Sequence, residues 1–243
     1  MPTLFKKSTL AALTAIALLA ACGKEEPAKP APTAAAPAPV AATEAPKTYT
    51  AADFKTDGLV ITEGEGKDYT KIATPQPVQV AGKVEVLEFF WYGCPHCNRI
   101  EPAVQAWKKT IPADVNFIRA HAFWGKPMDE HQKIFYTLGV LKKNDAMDDK
   151  VFSAIHNDGM GLAKPELISE FMVKNGIEKA AWDSAYSSFG VNTEVAKANA
   201  LFKAYGLTGV PNFIVNGKYA VGGETARTLQ VVNKLIEQER GKK

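Results

Sequence analysis

Apolar positions along the chain fall into blocks of different period, and each block predicts an element. Residues 10–21 are an apolar run that follows Lys6 and Lys7, the form of an export signal and shorter than the ~18 residues of a membrane-spanning helix. Residues 84–92 are nearly all apolar or β-prone, which predicts a central strand covered on both faces. Gly93 breaks the run. Ile100, Val104, Trp107 and Ile111 then recur at helical spacing and predict an amphipathic helix. Pro95 suits its first turn, and Pro102 inside it predicts a kink. Residues 115–119 read as a second strand. Residues 122–189 carry helical patterns, as at 129–141 and 165–175, with turns at Asn157-Asp158-Gly159 and Asn175-Gly176. A helix over 193–205 follows, then a strand at 213–215, an Asn216-Gly217 hairpin turn and a return strand at 219–221. A last helix over 225–240 has Leu229, Val232, Leu235 and Ile236 as its apolar stripe.

Composition changes this picture in one place. Residues 27–46 contain nine Ala and six Pro with no periodic apolar face, which predicts a semi-rigid tether and leaves a globular part from about residue 49 onward. Over the whole chain the content, 46% hydrophobic and 23% charged with a net charge of +3, is that of a folded globular chain. Such a balance gives no reason to expect nucleic acid as a partner.

The three cysteines, Cys22, Cys94 and Cys97, carry the chemistry. Cys94-Pro95-His96-Cys97 falls where the central strand turns into a helix, so the two thiols share one face and can close a small disulfide ring. At a helix N-terminus, free N–H groups and the macrodipole favour a thiolate, which is the nucleophilic form. That end contributes at most ~2 kcal/mol, about 1.5 pK units. His96 is the obvious further source of stabilisation. A structural disulfide would close too short a loop to stabilise much, and half of a zinc site lacks further ligands at suitable spacing. No metal is expected.

Two resemblances follow from these residues. Leu19-Ala20-Ala21-Cys22-Gly23 resembles the lipobox of bacterial lipoproteins. It implies removal of residues 1–21, a lipid on Cys22 that becomes the mature first residue, and one remaining pair of thiols. Leu87-Glu88-Phe89-Phe90 before the cysteine motif, with Gly209-Val210-Pro211 and Val215-Asn216-Gly217-Lys218-Tyr219 far downstream, resembles the DsbA family of bacterial thiol:disulfide oxidoreductases, in its lipid-anchored form. The resemblance implies an α/β thioredoxin fold with an inserted α-helical domain: signal 1–21, tether 22–48, thioredoxin parts 49–121 and 190–243, and a helical insert 122–189. It also implies a cis Val210–Pro211 bond against the disulfide, with the Val210 backbone pairing with an extended substrate. Glu88 would then move a proton to or from Cys97. The lysine usual beside that acid is Arg119 here, a more rigid and permanently charged partner, which puts such proton exchange in question.

The implied activity is donation of the Cys94–Cys97 disulfide to reduced exported proteins, without a cofactor beyond that disulfide and the lipid. Reoxidation by a DsbB-like, quinone-linked membrane protein and a monomeric, periplasmic domain anchored to a bacterial membrane, the inner one favoured, complete the expectation. Two readings compete: a reductase or isomerase, and a lipoprotein binding module for unfolded proteins in which the thiols are incidental. His121 is either catalytic or a packed structural histidine. Surface or cap positions are expected for His131 and His156. Trp91, Phe123 and Trp124 are candidates either for an apolar substrate face or for core.

Overall fold

The computed structural model describes residues 47–126 and 128–242; the export signal, Cys22 and nearly all of the tether lie outside them. Five strands form one sheet: β1 (Thr70–Lys71), β2 (Val84–Phe90), β3 (Val115–His121), β4 (Asn212–Val215) and β5 (Tyr219–Gly222), in the order β1-β5-β4-β2-β3. Only the β2–β3 pair is parallel. Every residue of β2 is buried, as its unbroken apolar pattern requires. It stops at Phe90, leaving Trp91 and Tyr92 to the turn that follows.

Alternation along the strands sends side chains to opposite faces. Val84 and Val86, with Phe213, Val215 and Val221, meet α1 (Pro95–Lys108) and α7 (Ala226–Arg240) through Ile100, Val104, Trp107 and the expected stripe of α7. Leu87, Phe89, Ile214 and Ala220 meet Phe202 of α6 (Phe189–Ala204) and Tyr205 on the other face. Helix α1 runs unbroken through Pro102. Helix α6 begins four residues before its apolar pattern because Ser188 caps it, its hydroxyl accepting from the Val191 amide at 3.2 Å.

Between β3 and α6 the chain is helical: α2 (Met128–Val140), α3 (Asn144–His156), α4 (Pro165–Lys174) and α5 (Lys179–Tyr186). Ile134, Leu138, Val151, Phe152, Met172 and Trp182 form the core of this layer, and that core is continuous with Phe90, Tyr92 and both cysteines. The fold is thus a thioredoxin-type sheet with an inserted helical layer that abuts the end of β2. The hairpin turn needs its glycine: Asn216 and Gly217 both have positive φ, 52° and 68°. A Cβ on Gly217 would also stand 2.0 Å from the Gln76 carbonyl.

Candidate active site

The end of β2 delivers the cysteines to the mouth of α1. Gly93 leaves room at this turn for the Trp91 indole, which would stand 2.4 Å from a Cβ there. Cys94 is the N-cap, with extended backbone, and Pro95 follows in the first turn. Both thiols are free and buried, Cys94 at 6% and Cys97 at 1% exposure. The Val210–Pro211 bond is cis, and the Val210 carbonyl accepts from the Cys94 thiol at 3.5 Å.

The two thiols are driven apart in acidity. A hydrogen bond from Cys97 is the largest influence on Cys94, which is pulled down to about 6 against the effect of burial; the Cys97 and His96 amides and then the His96 charge add to it. Burial pushes the Cys97 thiol far up, and the neighbouring Cys94 sulfur pushes it further. One sulfur is therefore a ready nucleophile and leaving group while the other stays protonated.

His96 is engaged differently from the expectation. Its ring is largely exposed and its Nδ1 lies 2.7 Å from Glu224 Oε2, the oxygen that also accepts from Arg99 Nε at 2.8 Å. Arg99 Nη2 lies 2.6 Å from the same ring nitrogen, which can serve only one of these partners at a time. The ring is thus tied to a surface ion cluster, and the thiolate draws first on Cys97 and the amides.

Below α1 lies a buried charge cluster. Register pairs Glu88 of β2 with Arg119 of β3, and Arg119 Nε donates to Glu88 Oε2 at 2.7 Å. The same guanidinium reaches Glu101 of α1 (2.7 Å and 3.1 Å) and Asp148 of α3 (3.1 Å). Burial raises the Glu88 carboxyl, with Arg119 opposing and the Glu101 and Asp148 charges reinforcing. Burial likewise raises Asp148 to about 6.

The histidines are structural pins. His121 is fully buried; its Nε2 accepts from the Tyr92 amide at 3.3 Å while Nδ1 meets the Ala122 carbonyl at 3.0 Å, and burial holds it neutral. His131 is not the surface or cap residue that sequence suggests, whereas His156 does lie at the end of α3, half-buried. His131, buried, accepts from Trp91 Nε1 at 2.9 Å and meets the Gly161 carbonyl at 3.0 Å. His156 Nε2 meets the Tyr92 carbonyl at 2.7 Å. Both fasten the helical layer to the active-site turn. Nothing local in the sequence announces these links, nor the roles of Glu224 and Asp148. Glu101, at the next turn of the helix after Cys97, was the one accessible signal.

Beside Cys94, the residues His96, Gly209, Val210, Pro211, Gly223 and Glu224 line an open groove of about 440 Å³. Trp124, half exposed, stacks on Phe202 and meets Trp91 edge to face. Phe123 is partly buried. Among the described residues no group of His, Cys, Asp and Glu is arranged to hold a metal ion.

A thioredoxin-type sheet that presents an acidic thiol over a buried, protonated partner defines a dithiol:disulfide oxidoreductase. A family model for the DSBA-like thioredoxin domain matches residues 114–232. The thiol:disulfide interchange protein DsbA of Azotobacter vinelandii is 44% identical over 179 residues, 72% of this chain and 84% of that protein. Pseudomonas aeruginosa DsbA superposes with a TM-score of 0.70 at 38% identity, over 74% of this chain and 98% of that one. DsbA from Xylella fastidiosa gives 0.68 at 29% identity, over 72% and 97%. The chain belongs to the DsbA family of thiol:disulfide interchange proteins.

Proposed function

We propose that this oxidoreductase works as a disulfide donor to reduced proteins arriving in the periplasm, held to a bacterial membrane by a lipid on Cys22. The observation that carries the direction of reaction is the split between the two thiols: an acidic Cys94 beside a Cys97 that burial keeps protonated. Stabilising the Cys94 thiolate stabilises the reduced form and makes the disulfide oxidising, since ~1.4 kcal/mol corresponds to ~30 mV in a two-electron couple.

In the oxidised enzyme a substrate thiolate attacks Cys94 Sγ. The Cys94–Cys97 bond breaks, its electron pair stays on Cys97, and a proton taken up there yields the buried thiol. A second substrate thiolate then attacks the substrate sulfur of the mixed disulfide, and Cys94 departs as the stabilised thiolate. Glu88, Pro95, His96 and Pro211 are the residues assigned to tuning and proton supply. Val210 and Pro211 line the groove in which an extended substrate backbone would lie. A DsbB-like, quinone-linked membrane oxidase would restore the disulfide, and anchoring would keep a monomeric domain near it. The lipobox resemblance and the Pro-rich tether support anchoring; the family supports the periplasm and the reoxidising partner.

The test is oxidative refolding of a reduced, disulfide-containing protein by stoichiometric oxidised enzyme. Recovery of substrate activity with equal loss of enzyme disulfide is expected. Cys94→Ser should abolish it, whereas a binding module would retain its effect with serine at that position.

A further inference from the structure

One guanidinium faces three buried carboxyls in the cluster below α1, and the hydrogen bonds are shared unequally. Glu101 receives Arg119 Nη1 and Nη2 and, at 2.6 Å, Gln105 Nε2. Asp148 receives Arg119 Nη1, the Tyr92 hydroxyl and, at 3.3 Å, Asn144 Nδ2. Glu88 receives only Arg119 Nε, and its Oε1 is buried without a partner. The side chains are 1–7% exposed, so one positive charge cannot compensate three carboxylates there.

A proton must be held, and the carboxyl with fewest donors is where it is least costly. We infer that Asp148, carried by the helical insert, is a positioning residue for the thiol chemistry: by sharing Arg119 and drawing on Tyr92, it keeps the proton on Glu88.

The consequence rests on the disulfide-donor reading above. When a substrate thiolate bonds to Cys94 and the internal disulfide opens, the electron pair left on Cys97 needs a proton. Neutral Glu88 supplies it; because Oε1 hydrogen-bonds to no group among the described residues, the proton passes through a bridging water, and the carboxylate left behind is reprotonated along the same route. Ionised Glu88 would instead act on Cys97 as a repelling charge. The other groups bearing on the cluster are known. Tyr92, at the turn, is kept un-ionised by burial and by Asp148. Asp149 of α3, raised by burial, feels Glu101 and Arg119. Asp145 of the same helix is held ionised, chiefly by Lys108. None of these offers Glu88 a second donor.

The test titrates the Glu88 and Asp148 carboxyl carbons by NMR in the oxidised protein, where neither cysteine ionises. Asp148→Asn should lower the Glu88 midpoint by about one pH unit, a tenfold change in proton affinity. Tyr92→Phe leaves the charges in place but weakens Asp148 as an anion. It should lower the Glu88 midpoint while raising that of Asp148, a pair of opposite shifts that loss of packing would not produce. Glu88 midpoints unchanged in the folded variants, or Glu88 already ionised below pH 5 in the parent, would overturn the inference; Tyr92→Phe decides alone if Asp148→Asn does not fold. Oxidised parent mixed with dithiothreitol separates the two claims. Failure to oxidise the dithiol removes the functional reading, whereas oxidation with unmoved midpoints removes only the role of Asp148.

Discussion

The acidic thiol makes a quantitative claim about stability that can be isolated by comparing redox forms. The Cys94 thiol ionises at about 6 in the folded protein against 9.0 for an unperturbed thiol. A depressed pKa contributes stability that is present above the unfolded value and is lost as pH falls through the folded one. The contribution is therefore about 0.1 kcal/mol at pH 5, about 1.4 kcal/mol at pH 7 and about 2.7 kcal/mol at pH 8. Cys94 is 6% exposed, so solvent screening does not erode this appreciably. Only the reduced form has the thiol. Glu88, Asp148, His121 and His131 are present in both forms, and their effects cancel to first order in the difference. Urea unfolding of reduced and oxidised protein at pH 5, 7 and 8 reads that difference directly. The reduced form should gain on the oxidised form by about 2.6 kcal/mol between pH 5 and pH 8. A difference that is flat over this range, or one that moves in favour of the oxidised form, refutes the thiolate argument.

Three further outcomes follow from the same geometry. His131→Ala leaves the Trp91 indole N–H without its acceptor and removes a pin between helical layer and turn, so unfolding free energy should fall by about 1–3 kcal/mol. A change under 0.5 kcal/mol, typical of ordinary surface positions, would return His131 to the surface role. His156→Ala frees the Tyr92 carbonyl, and hydrogen exchange at the 91–94 turn should quicken without global unfolding; unchanged protection contradicts the pin. Glu88 has a folded pKa raised above its ordinary 4.5, so the folded state holds the extra proton and stability falls as pH rises from there toward neutrality. Glu88→Gln should flatten that fall by on the order of 2 kcal/mol, seen as a smaller loss of melting temperature between pH 4.5 and 7.5.

Local physics made some of this molecule legible before its structure. The buried run at 84–90, the Asn216-Gly217 turn and the stripe Leu229, Val232, Leu235 and Ile236 each follow from a short-range rule and are where those rules put them, while Trp91 and Tyr92 pass from the expected strand to the turn. The cysteine motif was readable because strand, glycine and helix start are consecutive. Strand β1 was not, because its two exposed residues become a strand only by pairing with β5. The site extends where sequence separation is large. Asp148 lies 56 residues from Tyr92 and 29 from Arg119, and Glu224 lies 128 from His96. The burial of His131 and the Tyr92 contact of His156 were hidden for the same reason: a histidine in a helix shows its partner only once the helix has docked. His96 adds to the thiolate through its amide and its charge, but the larger share, a hydrogen bond from Cys97, is not visible in sequence.

The most direct test of the account is the reduction potential of the Cys94–Cys97 pair, equilibrated against glutathione on the chain from residue 47 onward. An acidic Cys94 over a protonated Cys97 predicts a pair more oxidising than thioredoxin's ~−270 mV, displaced toward the ~−120 mV of DsbA. A potential near the ~−270 mV of thioredoxin would mean that the thiolate is not stabilised as the geometry requires, and the protein would be a reductase.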